Sequence, residues 1–482
     1  MIQSPLLQTF GCYIAGTWRT ASQGRTIAVV NPATGEHLAD VPNMDATDAM
    51  EAVKSCETAL ADVPDIDARR AWLTQIDALL TSHRSELAPI ITQEQGKPLK
   101  ESLAEVDYAA GFFRVAANHI DHIRDRTLDE IIRNARWTVR HTPAGVAGLI
   151  TPWNFPLAML AKKLSSAMAA GCPSVTKPAD LTPLTLIALW HLLERLNLPP
   201  GFANLITGDA APIGDLFCAH PAVRIISFTG STVVGKRLMS NVAPHVKRLS
   251  LELGGNAPFM VFDDADVEKA ADALVANKFR CAGQTCVCAN RVLVQRGIEQ
   301  RFTDAVAIRV GKLRVGNGMA DGVDIGPLIN RRAWDKVEQH VRDALEKGAQ
   351  KIIGEQPSRP SDDFGCFYSP QIISGVTREM LVSQEETFGP VIAITSFDDD
   401  DDGVALANET PFGLASYFFT PNPSRAQRIS RALRFGHVGV NTGSGPIPEA
   451  PFGGMKQSGF GREGALEGIL EFCEVQVVAT ED

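Results

Sequence analysis

The chain reads as an α/β protein with parallel sheets, and three observations carry that reading. Between Gly145 and Gly255 short apolar runs alternate with stretches of helical period, proline and glycine clusters punctuate the changes, and 482 residues is long for a single core. Two large lobes follow. In order, the segment from Asp45 to Arg124 has long helical periodicity and completes the first unit. The runs Gly145 to Thr151, Ser174 to Lys177, Ala203 to Thr207, Arg224 to Thr229 and Arg248 to Leu253 are apolar and short, as buried strands are. Between the second and third, Thr182-Pro183 opens a helix that ends near Asn197, where Leu198-Pro199-Pro200-Gly201 stops it. A nucleotide site belongs at the carboxyl ends of such strands. A second α/β unit starts after Gly254-Gly255. The acidic run Asp398 to Asp402 reads as a solvated loop with no metal role. Trp137 to His141 and Val475 to Ala479 alternate like strands but fall outside both lobes.

Composition narrows the function. With 45% apolar and 21% charged residues the chain has an ordinary globular balance, and a net charge of −10 without a Lys/Arg block disfavours nucleic acid and other polyanions. No apolar stretch of about 18 residues is present to cross a membrane, and no basic, apolar leader opens the chain, so a cytoplasmic protein is expected. Nine scattered cysteines, an odd number, suit a reducing compartment. Cys286-Val287-Cys288 has no second pair at zinc-like spacing, so no metal is expected.

Cys286 follows Lys278-Phe279-Arg280-Cys281-Ala282-Gly283-Gln284-Thr285, and Glu252 lies 34 residues upstream in Leu251-Glu252-Leu253-Gly254-Gly255. A thiol nucleophile needs surroundings that stabilise its thiolate, and a thioester needs a base beside an attacking water. One Cys and one Glu alone are more often a buried thiol and a solvated acid. Five further strings change that weighting: Pro152-Trp153-Asn154-Phe155-Pro156, Lys177-Pro178-Ala179, Phe228-Thr229-Gly230-Ser231, Glu385-Glu386-Thr387-Phe388-Gly389-Pro390 and Pro451-Phe452-Gly453-Gly454. In that order they resemble the NAD(P)-dependent aldehyde dehydrogenases over nearly the whole chain, from Asn31-Pro32-Ala33-Thr34-Gly35 to Gly461-Arg462-Glu463-Gly464, and within them the succinic and α-ketoglutaric semialdehyde enzymes.

The resemblance implies a Rossmann-type cofactor domain over residues 1–123 and 143–254, a catalytic domain over 255–467, and oligomerisation segments 124–142 and 468–482 that would pair subunits into a homodimer or homotetramer. It assigns Cys286 as nucleophile, Glu252 as the base that hydrolyses the thioester, and the Asn154 amide with the Cys286 N–H as oxyanion donors. Glu463 matches a proton-relay glutamate, a salt bridge being the alternative. The cofactor would be NAD, with NADP use left open. It would meet Thr151, Pro152, Trp153, Gly208, Leu253, Gly230 and Ser231, with Lys177 and Asp180 at the adenosine ribose and Glu386 and Phe388 at the nicotinamide. Asp180 stands where NAD-preferring relatives carry Glu, whose charge repels a 2′-phosphate. For the substrate, Arg280 resembles an arginine that grips a distal carboxylate, while Lys162 stands where the second arginine of that clamp is expected. Phe155 and Phe452 would complete the pocket. The loop Asn441 to Glu449 carries Pro446 and Pro448, more like the α-ketoglutaric semialdehyde enzymes. Cys288 either forms a reversible disulfide with Cys286 or packs as a small apolar residue. The small-molecule aldehyde would be succinic semialdehyde or a relative of it. The alternatives are a longer or neutral, even aromatic, aldehyde and a non-catalytic binding or structural protein.

Overall fold

The structure is a computed structural model that describes residues 2–129, 134–355 and 358–481. Positions 1, 130–133, 356–357 and 482, which fall within the segments set out above, lie outside the described residues.

An eight-stranded sheet forms the first lobe, in the order Thr17–Arg19, Cys12–Ile14, Ala203–Leu205, Ser174–Lys177, Val146–Ile150, Val223–Thr229, Arg248–Glu252 and Gly459–Phe460. Its five central strands are parallel, and antiparallel strands close both edges. All five are the apolar runs read from the sequence, three of them ending a residue or two early. Apart from Arg248 and Leu249 at the start of the edge-most of them, their side chains are largely buried on both faces, so they show continuous apolarity rather than alternation. The helix Leu184–Leu193 continues as the short turn Glu194–Leu196 and stops at Asn197, whose φ of 49° is left-handed. Residues 45–124 form the helices Ala46–Leu60, Ile66–Ser82, Arg84–Gln95 and Leu99–His119. Helix Pro156–Ala170 is sandwiched among them and buries nearly every side chain.

A seven-stranded sheet forms the second lobe, in the order Gln350–Ile353, Gln371–Ser374, Val391–Phe397, Ala289–Gln295, Ala257–Val261, Ala415–Phe419 and His437–Val440. It is parallel except at its first pair. The two lobes exchange a strand: Gly459–Phe460 leaves the second part of the chain and pairs with Leu251 and Glu252 in the first sheet. The approach is so close that a Cβ on Gly459, with φ 118°, would lie 1.9 Å from the Leu251 oxygen.

Ala135–Pro143 and Cys473–Glu481 pair in an antiparallel ladder from Cys473↔Pro143 to Glu481↔Ala135, with Arg126–Thr127 beyond. Val475 and Val477, at 61% and 56% exposure, lie open on the outer strand. The acidic run Asp398 to Asp402 is not a loop. Asp399 caps the helix Asp400–Asn408 by accepting from the Asp401 and Asp402 N–H groups, and Asp400 pairs with Arg425 and Arg428. Acidic side chains are favourable at this end of a helix, and counting charge alone misses that. Among the described residues, no helix is long and apolar enough to cross a membrane and no cluster of His, Cys, Asp or Glu could hold a metal ion.

Candidate active site

Three neighbouring parallel strands end at one cleft of about 780 Å³. Pro152, Trp153 and Asn154 follow the first, Thr229, Gly230 and Ser231 the second, and Glu252, Leu253 and Gly254 the third. The second lobe contributes Arg280, Cys286, Glu386, Phe388, Phe452 and Glu463, with Phe155 and Lys162 reaching the same cleft.

Cys286 lies on a loop that the surroundings hold in an unfavourable shape. Cys281 and Ala282 both have left-handed backbones, with φ of 52° and 56°. The Cys281 N–H donates to Glu101 Oε2 at 2.7 Å, and the Gln284 amide spans the loop by donating to the Cys281 oxygen at 3.0 Å and accepting from the Ile329 N–H at 2.9 Å. Gly255 lets the loop pass close, since a Cβ there would meet the Cys286 oxygen at 2.3 Å. Cys288 is buried beneath; its thiol donates to the Gly283 oxygen at 3.3 Å and lies 3.8 Å from Lys278 Nζ.

Cys286 itself is half-buried. Burial pushes its thiol up to about 12, and the Glu386 carboxylate adds to the rise while Lys162 opposes it. In the cofactor-free protein, removal from water outweighs the Lys162 charge. Asn154 is buried with one amide hydrogen donated to the Gln284 oxygen at 2.8 Å, and its own side-chain oxygen has no partner.

Glu252 ends its strand buried, with no hydrogen-bond partner for either carboxyl oxygen. Burial first, and the Glu463 charge second, raise its carboxyl well above the usual range, while Lys162 and Lys163 pull it down. Glu463 accepts from Lys163, which also donates to Ser227 at 3.1 Å, and its other oxygen lies 3.9 Å from Lys162 Nζ. Glu463 is thus held in a salt bridge with Lys163. Lys162 is boxed by Phe452, Phe112 and Tyr108, with ring centroids at 4.7, 5.6 and 5.8 Å. Its charge faces Glu463, and it lines the same cleft as Arg280.

Arg280 is exposed to the cleft and stacks over Phe155 at 5.2 Å. Among the described residues no carboxylate lies within ion-pair distance of it. Pro446 borders the cleft, and a Cβ on Gly445 would lie 3.7 Å from Arg280 Nη2, so the Asn441 to Glu449 loop sits beside this cation.

The other end of the cleft fits a dinucleotide. Ser231 caps the helix Thr232–Val242, accepting from the Val234 N–H at 3.4 Å, so the first helical N–H groups face outward beside Gly230 as an anion would require. The buried Thr229 hydroxyl is unpartnered, and Leu181 and Val233 expose apolar surface beside the turn. Glu386 accepts from the Gly255 N–H at 3.0 Å, and burial pushes its carboxyl up to about 7. Phe388, with φ 57°, meets Trp153 edge-on at 5.8 Å. Thr151, Lys177, Asp180 and Gly208 do not line the cleft. Lys177 donates to Asp180, the Thr151 hydroxyl is buried without a partner, and Gly208 packs on the Met44 backbone.

Sequence reading passed over Glu101, Lys163 and Gln284. Only Lys163 carried a signal, a second cation beside Lys162, yet neighbours on a helix point about 100° apart and both are buried only because this helix is enclosed.

The aldehyde dehydrogenase family model matches residues 18–478. A mitochondrial succinate-semialdehyde dehydrogenase of Arabidopsis thaliana is 46% identical, covering 99% of this chain and 90% of its own. A 3-sulfolactaldehyde dehydrogenase of Pseudomonas putida is 45% identical over 99% and 98%. Among solved structures, an oxidoreductase from Marinobacter aquaeolei superposes with a TM-score of 0.97 at 52% identity, covering 99% of this chain and 100% of that one.

Proposed function

The chain belongs to the aldehyde dehydrogenase family, whose members use NAD(P), and from that premise we propose that it oxidises a short aldehyde with a distal carboxylate, of the succinic semialdehyde kind. The observation that carries the substrate class is Arg280: a guanidinium open to the cleft, backed by Phe155 and without a carboxylate of its own, is matched by an anion at the far end of the substrate. The names of both relatives specify short aldehydes with an anionic end.

In this reading Cys286 gives its proton to solvent and adds as the thiolate to the carbonyl carbon. The resulting oxyanion lies between the Asn154 amide and the Cys286 N–H. Bound NAD(P) supplies a nicotinamide ring that takes the hydride. What remains on Cys286 is a thioester, and Glu252, whose oxygens have no competing partner, takes the proton from the water that hydrolyses it. Glu463 and Lys163 stand behind Glu252 as the path by which that proton leaves. Asp180, beside Lys177, repels a 2′-phosphate and favours NAD over NADP. The open strand Cys473–Glu481, with its exposed valines, is covered by pairing with another copy of the chain in a dimer or tetramer. The free thiols, eight of them buried, suit a reducing, cytoplasmic setting.

A kinetic panel of carboxylated and neutral aldehydes of matched length, run with NAD and NADP on the wild type and Arg280→Ala, tests this. Arg280→Ala lowers kcat/KM for carboxylated substrates roughly thirtyfold, as loss of a charge-assisted pair of about 2 kcal/mol requires, and spares neutral ones. Wild type prefers NAD. Equal losses on both substrate classes would remove Arg280 from substrate recognition.

A further inference from the structure

Lys97 does not line the cleft, yet its surroundings are unusually complete. Its ammonium is wholly buried and has three targets: Glu105 Oε2 at 2.7 Å, the main-chain oxygen of Asn154 at 2.6 Å, and the face of the Phe155 ring, whose centroid is 3.7 Å away. The other Glu105 oxygen accepts from the Leu157 and Ala158 N–H groups at 2.9 and 3.2 Å. It thereby caps the helix Pro156–Ala170, whose own N-cap residue, Phe155, offers no side-chain bond. The residues flanking Asn154 on its carboxyl side are thus tied to one buried ion pair.

The same short stretch of chain also grips the nucleophile loop. Gln95 holds the Lys97 N–H at 3.0 Å through its oxygen and donates its amide to Cys281 Sγ at 3.2 Å. Glu101 accepts from the Cys281 N–H at 2.7 Å. Cys281 Sγ in turn donates to the Asn154 oxygen at 3.6 Å, so that oxygen receives donors from both sides. A left-handed alanine and cysteine in succession persist only where neighbours over-determine them, and Gln95 and Glu101 are two such neighbours.

We propose that Lys97 is a positioning residue: residues 95–105 form a brace that sets the Asn154 amide against the Cys286 N–H, and the Lys97 ammonium is its fixed point on the Asn154 side. The proposal rests on the reading of those two groups as the oxyanion donors. Such donors act only if held in place before charge develops, and a misplacement of about 1 Å costs on the order of a hundredfold in rate. In a dry site no water replaces the lost hydrogen bond to the Asn154 oxygen.

The test is a double-mutant cycle on the first-turnover rate of reduced-cofactor formation at saturating NAD. Lys97→Met slows that step roughly thirtyfold or more while KM for the aldehyde changes less than about threefold. In an Asn154→Ala background, where the group being positioned is gone, Lys97→Met slows it by less than about threefold. Lys97→Arg, which keeps the charge, recovers part of the rate. Equal slowing in both backgrounds marks a merely structural lysine and overturns the proposal, as does an unchanged rate in folded Lys97→Met. If Asn154→Ala alone keeps the wild-type first-turnover rate, the oxyanion reading itself has failed, a result distinct from additivity. Should Lys97→Met not fold, Glu105→Gln enters the same cycle. It retains an acceptor for the helix N–H groups but drops the counter-charge, with roughly fivefold slowing expected only when Asn154 is present and additivity again overturning the idea.

Discussion

Two buried charge clusters flank the cleft, and they are built on opposite plans. In the Lys97 and Glu105 pair every polar atom has a partner, both side chains are fully buried, and the pair is tied to the backbone at Asn154, Leu157 and Ala158. In the cluster of Glu252, Glu463, Lys162 and Lys163, three of the four carboxyl oxygens lack a hydrogen-bond partner, and only Lys163 makes a close ion pair. A saturated cluster cannot exchange protons without breaking, so it holds geometry. An unsaturated one leaves valences for a substrate, a water and a moving proton. Burial is common to both, so the two clusters differ in hydrogen-bond saturation and not in burial.

The sharpest break in that comparison is catalytic. Cys286→Ala abolishes turnover, and Glu252→Gln releases one equivalent of reduced cofactor per site and then stalls, with steady turnover lower by about 10²–10⁴, the range for loss of a general base. Rapid mixing with absorbance detection reads both. Near wild-type cycling in Glu252→Gln would show that the open valences are idle. The opposite asymmetry appears in stability. Glu105→Ala strands a buried ammonium and uncaps a helix, at a cost of about 3–5 kcal/mol in denaturant unfolding, whereas Glu252→Gln stays within about 1 kcal/mol of wild type. Equal costs would erase the distinction. The smallest effect is a titration. Because burial and Glu386 raise the Cys286 thiol, iodoacetamide alkylation of the cofactor-free protein keeps climbing above pH 9.0, and Lys162→Gln slows it at each pH by removing the opposing charge. A plateau near neutral pH would place the thiol among stabilised nucleophiles instead.

How much of this was visible in the chain itself follows the same division. The five central strands were legible because strands buried on both faces leave continuous apolar runs, and proline marked the helix that ends at Asn197. The cleft residues were legible as strings: Asn154, Gly230, Glu252 and Cys286 all come to one cleft. The electrostatics were not. Lys163 meets Glu463 across 300 residues, and Lys97 meets the Asn154 oxygen across 57, distances at which no local period exists. The acidic run at Asp398 was misread because charge was weighed without the helix end it caps. Lys162 lines the same cleft as Arg280, as the resemblance implies, but that Glu463 neighbours it had no signal in the sequence.

The strand contributed to the first sheet by the second lobe comes late in the chain. Glu252 and Cys286 are synthesised well before Gly459–Phe460 can zip onto the edge of the first sheet, and the Lys163 ammonium waits for Glu463 from the same late stretch. A partly made chain therefore holds its thiol without the Lys163–Glu463 ion pair, and the edge beside Glu252 stays unpaired. Contacts this remote in sequence form late, after loop closure has been achieved. The surroundings of Glu252 are therefore complete only once Gly459–Phe460 has paired with the first sheet.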